Sequence, residues 1–429
     1  MEYRKDMEIE PIFKSPKDKN YFFGYYDKSQ LDQESKKLLS LEVNFIERMP
    51  EKGDVANIGY FDLDKKDQQF VKISSTSVFN WQQGCMLQWL GPDHNKKIIY
   101  NDIYKNKYSS VVLDIETKEK IYLPMSIYTV SKKGDFALCI DHERHHFCRR
   151  GYSYDGVSNE EKNKPVVSGD GIWRLDIQTK EVKKIIDIEE ILKFNPISNM
   201  AGSTHYLEHL MLNPSGSRFC FLHRWKMPEG GIYARLYTAN NDGSDVYLLN
   251  DSGRMSHFCW RNDLQLLAYG GMSNSLNKLR RYKTLVKSLF RPILPIYHML
   301  FSDSGTVAKA LTGDSYILFN DRTQRKEKVA PEISDEDGHP SFPSENQNIF
   351  ITDIYPNLDD QGASFAKLIK YDLSSHNFTI LSELRSIPKF DNTGMRCDLH
   401  PKCSYDGKYV SVDTMDQGVR SVYLYKVFD

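Results

Sequence analysis

The sequence lacks every feature that would place it in a membrane, a secretory route or a zinc-cysteine fold. No run approaches the roughly 20 apolar residues a membrane span needs. The opening MEYRKDMEIEPIF has no apolar core of the kind a secretory leader carries. The seven cysteines (Cys85, Cys139, Cys148, Cys220, Cys259, Cys397, Cys403) are scattered, odd in number and without a single Cys-x-x-Cys pair. That pattern predicts reduced thiols in a cytoplasmic protein, several on buried strands, and argues against a zinc-cysteine cluster. There is no excess of one charge either. The 57 basic and 58 acidic residues leave a net charge of -1, so no global basic surface is on offer to nucleic acid.

What the chain does have is aromatic residues, 12% of the total with 26 Tyr and 22 Phe, and a phrase that recurs. A short apolar strand, an Asp or Asn, a turn and a second strand appear as GYFDLDKKDQQFVKI from Gly59, VVLDIETKEKIYL from Val111 and WRLDIQTKEVKKI from Trp173. They continue as LYTANNDGSDVYLL from Leu236, YILFNDRTQRKEKV from Tyr316 and LIKYDLSSHNFTIL from Leu368. A half-copy from Val422, VYLYKVF, ends the chain. Most copies follow a turn and strand such as SKKGDFALCID from Ser131 or SYDGKYVSVD from Ser404. Alternating strands joined by such turns signal hairpins. Units of this length, each too small to bury both faces, predict an all-β fold: a β-propeller of seven blades spanning 1–429. The truncated last copy fits a ring closed by strands from both ends of the chain. A string of β-sandwiches is the alternative.

The stretch from His205 to Asp263 holds His205, His209, His223 and His257 with Arg224 and Arg235, on short strand-like runs. It is a candidate binding or catalytic centre. Other stretches carry candidates for saccharide contact. YFFGYYDKSQ from Tyr21 fits both a packed first strand and an aromatic wall for a sugar. FNWQQGCMLQWL sets Gln83 and its neighbouring amides beside Trp81, a combination suited to hydroxyl-rich ligands or to a capped strand entry. HERHHFCRRGYSYDG gathers Arg144, Arg149 and Arg150 beside Tyr152 and Tyr154. Arginine's planar fork binds carboxylates at two points, so this loop suits an acidic sugar, or ion pairs with its own acids.

Segment 274–300 carries Lys278, Arg280, Arg281, Lys283, Lys287 and Arg291 with no acid, and apolar residues at helical spacing up to Pro292. It reads as an inserted basic amphipathic helix. Such a helix lies on an anionic membrane surface, docks a protein partner, or packs on the rim. Nearer the C-terminus, His339 enters one strand, with Asp353 and Tyr355 further along. Arg396, Asp398 and His400 alternate, which in a strand puts them on one face. His339, Asp398 and His400 make a mixed nitrogen and oxygen set suited to one divalent cation such as Mn²⁺ or Ca²⁺. A hydrogen-bonded polar channel without metal fits the same residues.

The order His-Leu-x-x-Asn-Pro, Phe-x-His, Arg-Leu-Tyr, Asn-x-Asp-Gly, His-Phe-x-Trp, Gly-His-Pro-x-Phe and His-Pro, between Thr204 and Tyr409, resembles the oligogalacturonate lyases. More generally the chain is similar to TolB-like propellers and to propeller lyases acting on ulvan or rhamnose-glucuronate linkages. The resemblance implies a seven-bladed propeller that cleaves uronate-containing oligosaccharides by metal-assisted β-elimination. It implies His257 and Arg235 in the catalytic region, and His339 and His400 as metal ligands. Where that family has Gln-x-x-His-x-His, this chain has Met395, Asp398 and His400. Where it has Glu-Gly after a histidine, this chain has Arg224 and Trp225. On chemical grounds His257 suits the base better than Arg235, whose pKa would have to fall far. His209 and His223 are second candidates. Gln83, Arg144, Arg150, Tyr152, Arg224, Tyr355 and Arg396 are candidate substrate contacts, Tyr152 or Tyr355 serving as proton donor. Two functions stay open: a lyase for an acidic saccharide, and a non-catalytic propeller that binds a glycan or a partner in surface-polysaccharide assembly.

Overall fold

The computed structural model describes residues 8–272, 314–334, 336–343, 347–359 and 361–428. The helix expected over 274–300 lies outside the described residues.

Seven antiparallel sheets follow one another along the chain, six of four strands and one of three, and form a seven-bladed β-propeller. Six of the blades are built from consecutive strands, as short turns between period-2 runs require. In one blade Thr204–Leu212, Arg218–Lys226, Ile232–Asn240 and Tyr247–Gly253 pair in order. The three-stranded blade gains an inner edge from a bridge between Ser341 and Ile351. The last sheet joins both ends of the chain: Phe13–Lys14 pairs with Ser421–Lys426, Phe13 opposite Leu424. The half-copy at the end of the sequence is therefore completed by the beginning.

Strands in the middle of each blade are buried on both faces, because blades pack face to face around the ring. Leu222 and Leu236 of one blade share an apolar cluster with Leu266, Leu267 and Ile317 of the next. Full burial of each such side chain contributes about 1.5–3 kcal/mol. In an antiparallel meander successive turns alternate between the two ends of the blade. The connections from the second to the third strand, and from the outermost strand to the next blade, thus emerge at one mouth. Gly271 pairs with Asp314 at this mouth, so the chain leaves for 273–313 and returns there.

Candidate functional site

The same mouth receives the starts of the inner strands, and those starts carry the chemistry. Gly24 makes the first placement. Its φ of 124° is open to glycine, and a Cβ there would lie 2.6 Å from the backbone carbon of Gln83. The first two blades therefore touch backbone to backbone, and Tyr25 and Tyr26 follow directly into the ring's interior. The Tyr26 hydroxyl donates to the Phe258 carbonyl (2.8 Å) and accepts the Phe258 N–H (3.0 Å), fixing the strand that carries His257.

Three histidines from three blades meet above Tyr26. The rings of His257 and His339 are 4.0 Å apart between centroids, and those of His339 and His400 are 4.3 Å apart. His257 Nδ1 lies 3.1 Å from Asp337, and His339 Nδ1 lies 2.9 Å from Asp353. An ionised carboxylate only accepts, so each Nδ1 carries a hydrogen, and in the neutral ring Nε2 is the nitrogen with the lone pair. His400 sits at φ 45°, uncommon for a residue with a Cβ. The buried Lys402 ammonium holds its carbonyl (2.8 Å). Its Nε2 is buried without a hydrogen-bond partner. One ligand atom from each of His339, Asp398 and His400 lies within 4.8 Å of the others. Arg396 grips both oxygens of Asp398 and stacks 4.2 Å over the ring of Tyr355.

A second group faces this one across His209, which is also in a left-handed conformation (φ 53°). Glu208 is fully buried, and its carboxylate meets Arg149, Arg224 (2.9 Å) and His145 (2.9 Å). Arg149 also reaches His209 Nε2 at 2.8 Å and covers Tyr152 at 3.7 Å. Gln83 joins through Tyr128: its Nε2 donates to the Tyr128 hydroxyl (2.8 Å), which lies 3.3 Å from His209 Nδ1.

Burial and charge pull the titrations apart. Burial, then the neighbouring His339, pushes His257 below its ordinary range. Burial pushes His400 and His209 well below theirs. Burial would depress His339 as well, but the Asp353 carboxylate outweighs it and raises the group. Desolvation opposes the charge on Glu208, yet Arg149 and Arg224 hold it well below the usual carboxylate range. The mouth thus presents His257 and His400, both held below their ordinary range, beside arginine charge. That arrangement can take a proton, receive a carboxylate, or hold a cation.

The structure brings together His209, His257, His339, Asp398, His400, Tyr152, Arg224, Tyr355 and Arg396, with Gln83 behind them. Two expected catalytic residues are placed elsewhere. Arg235 is buried and spends its donors on Asp251 (2.9 Å) and on the carbonyls of Phe194 and Asn195. His223 stacks on His205 and packs at a tilt against Trp225 in the same blade, its Nε2 3.0 Å from His205 Nδ1. Both sit on strands away from the axis, where a fully packed blade turns them inward to each other. Arg144 is likewise directed elsewhere, to the carbonyls of Lys162, Pro165 and His205. Arg150 is exposed. Sequence reasoning missed Glu208, Asp337 and the depth of Tyr25 and Tyr26. The available signals were an acid directly before His209, an acid two residues before His339, and a glycine directly before two tyrosines.

Fold and site define a seven-bladed propeller with a buried, carboxylate-backed histidine group at one mouth of its axis. No protein-family model matches the chain, and no curated protein matches it. Among solved structures it is similar to an oligogalacturonate lyase from Vibrio parahaemolyticus, with 16% identity over 99% of this chain and 96% of that one, at a TM-score of 0.60. It is also similar to the propeller domain of the Trilobed protease from Pyrococcus furiosus, with 8% identity over 94% and 96% of the two chains and a TM-score of 0.48. TolB from Acinetobacter baumannii gives 14% identity over 82% and 64%, with a TM-score of 0.38. At 16% identity the likeness to the lyase structure is one of fold. Among the described residues no helix is long and apolar enough to cross a membrane.

Proposed function

We propose that this propeller cleaves an acidic, uronate-containing saccharide by β-elimination, with His257 as the base. The observation that carries this is the His257–Asp337 contact, which leaves the Nε2 lone pair of a neutral imidazole at a mouth rich in arginine. The likeness in fold to a structure described as an oligogalacturonate lyase supports it.

Elimination removes the hydrogen on the carbon beside a carboxylate. That hydrogen becomes acidic only when the carboxylate's charge is offset. Arg149, Arg224 and Arg396, paired with Glu208 and Asp398, would offset the charge of a carboxylate bound beside the histidines. His257 takes the proton, and Asp337 stabilises the imidazolium that results. His339, Asp398 and His400 fit a divalent cation in donor type and span, and the orphaned Nε2 of His400 is what such a site would leave. A cation such as Mn²⁺ or Ca²⁺ held there would offset carboxylate charge as a Lewis acid. Asp353 orients His339 and His400 for either role.

A second reading, binding without cleavage, is favoured by one observation. Arg396 already occupies both oxygens of Asp398. The two readings part in one assay. Protein with Mn²⁺ or Ca²⁺ is incubated with a panel of uronate oligosaccharides, and ultraviolet absorbance reports the conjugated double bond. A rising signal lost in His257→Ala supports the lyase. A flat signal with saccharide binding intact supports the binding module.

A further inference from the structure

The hydrogen bonds around His209 fix its tautomer and thereby leave one proton free. Arg149 Nη1 is 2.8 Å from His209 Nε2. A guanidinium has only hydrogens to offer, so Nε2 must be the accepting nitrogen and Nδ1 must carry the hydrogen. His209 Nδ1 lies 2.8 Å from the Tyr25 hydroxyl oxygen, which therefore accepts. Among the described residues no acceptor lies within hydrogen-bond distance of the Tyr25 hydrogen. Tyr128 likewise keeps its hydrogen, its oxygen receiving Gln83 Nε2 at 2.8 Å and the His209 backbone N–H at 3.2 Å, but its ring lies against His142 and not against His400. The Tyr25 ring stacks on His209 and meets His400 edge-on, both at 5.2 Å between centroids. It thus joins the arginine side of the mouth to the histidine side.

We propose that Tyr25 is the proton donor to the leaving oxygen, an assignment that rests on the elimination reading above. His257 takes the hydrogen from the carbon beside the carboxylate, and the electron pair of that C–H bond becomes the new C=C bond. The C–O bond to the leaving sugar breaks with its pair on oxygen, and that oxygen takes the Tyr25 hydrogen. Tyr25 is left as a phenolate that receives the His209 Nδ1–H, with Arg149 behind it. The proton on His257 returns to Tyr25 through solvent, so the cycle closes without a co-reactant. Tyr152 and Tyr355 are less suited. Each has an arginine over its ring that would steady a phenolate, but among the described residues neither hydroxyl has a hydrogen-bond donor aimed at it as Tyr25 has in His209.

The test compares Tyr25→Phe with the unaltered protein on two substrates: a uronate oligosaccharide with a sugar leaving group, and a uronide bearing fluoride at the same carbon. Fluoride departs without a proton. Loss of a general acid is expected to lower turnover of the sugar substrate by about 100-fold or more and that of the fluoride by less than about threefold. Equal turnover of the sugar substrate, or equal losses on both, overturns the donor role. Nitrogen-15 NMR of His209 gives a readout independent of activity. The Nδ1–H tautomer supports the relay, and the Nε2–H tautomer overturns it. An unaltered protein inert on both substrates, with His209 in the Nδ1–H form, overturns the elimination reading and the donor role with it. The hydrogen-bond geometry then still stands.

Discussion

Asp353 holds His400 from the neighbouring blade. One carboxylate oxygen receives the His400 backbone N–H at 3.2 Å, while the other receives the His339 backbone N–H at 2.7 Å. The same carboxylate faces His339 Nδ1 at 2.9 and 3.0 Å. One buried acid thus sets two imidazoles on different blades and helps hold His400 in its left-handed backbone.

Asp353→Asn should therefore cost both stability and cation affinity. The amide offers one accepting oxygen where three donors converge, and the charge opposite His339 is gone. Breaking a buried pair of this kind costs about 3–5 kcal/mol. Removing a carboxylate behind a ligand histidine lowers metal affinity about 10–100-fold. Urea denaturation and calorimetric titration with Mn²⁺ read the two effects. Unchanged values in both would mean that Asp353 supports neither.

Arg235 should behave as a structural residue. Its guanidinium ties Asp251 to the segment around Phe194 and stacks over Trp225. Arg235→Lys keeps a charge but loses the fork, and should lower stability by about 1–3 kcal/mol. Turnover per folded molecule should stay within about threefold of the unaltered protein. A large fall in turnover without a fall in melting temperature would return Arg235 to the site.

The contrast between Arg235 and Arg149 shows what was legible in the sequence. The blade count was, because the repeated phrase is local and its turn chemistry is read residue by residue. Asp398 and His400 were paired on the expectation of a strand, but residues 396–400 form none and His400 is left-handed; Asp353, holding the backbones of both His339 and His400, is what brings the two blades together. Which arginine reaches the axis depends on which strand of a blade carries it, and on a helix, His142–Cys148, that delivers Arg149 over the mouth. No periodicity in the sequence records that. Glu208 was hidden for the same reason, since its three partners come from residues 145, 149 and 224, which only folding brings together.

Acid should destabilise the protein well before its carboxylates titrate. Burial, then the neighbouring His145, pushes His142 down to about 3, and its Nε2 has no partner. Burial also drives His209, His223 and His400 well below their ordinary value. In the unfolded chain each titrates near 6.5, so between that value and its folded pKa the unfolded state binds a proton that the folded state does not. Stability is thus complete above about pH 6.5 and falls as pH drops, by up to about 1.4 kcal/mol per unit for each such group. His339, raised by Asp353, acts in the opposite sense but is one group against these four and His257. Denaturant midpoints should drop clearly between pH 7 and pH 5, and His142→Gln should make that drop shallower. A flat profile would show that these imidazoles are hydrated.

Arg396 and a cation compete for Asp398, and that competition gives the clearest prediction at the site. In this structure both carboxylate oxygens are gripped by Arg396. A divalent ion needs one of those lone pairs and is also repelled by the guanidinium. Arg396→Gln should free Asp398 and raise Mn²⁺ affinity, by about tenfold if the gain is near 1.4 kcal/mol. The same change removes a charge that would offset a bound carboxylate, so acidic saccharide should bind more weakly. The two affinities then move in opposite directions in one variant, which a general loss of folding cannot imitate. Weaker binding of both would mean that Arg396 holds the site together. Unchanged Mn²⁺ affinity would mean that Asp398 is not a ligand, leaving the histidines to bind any cation without it.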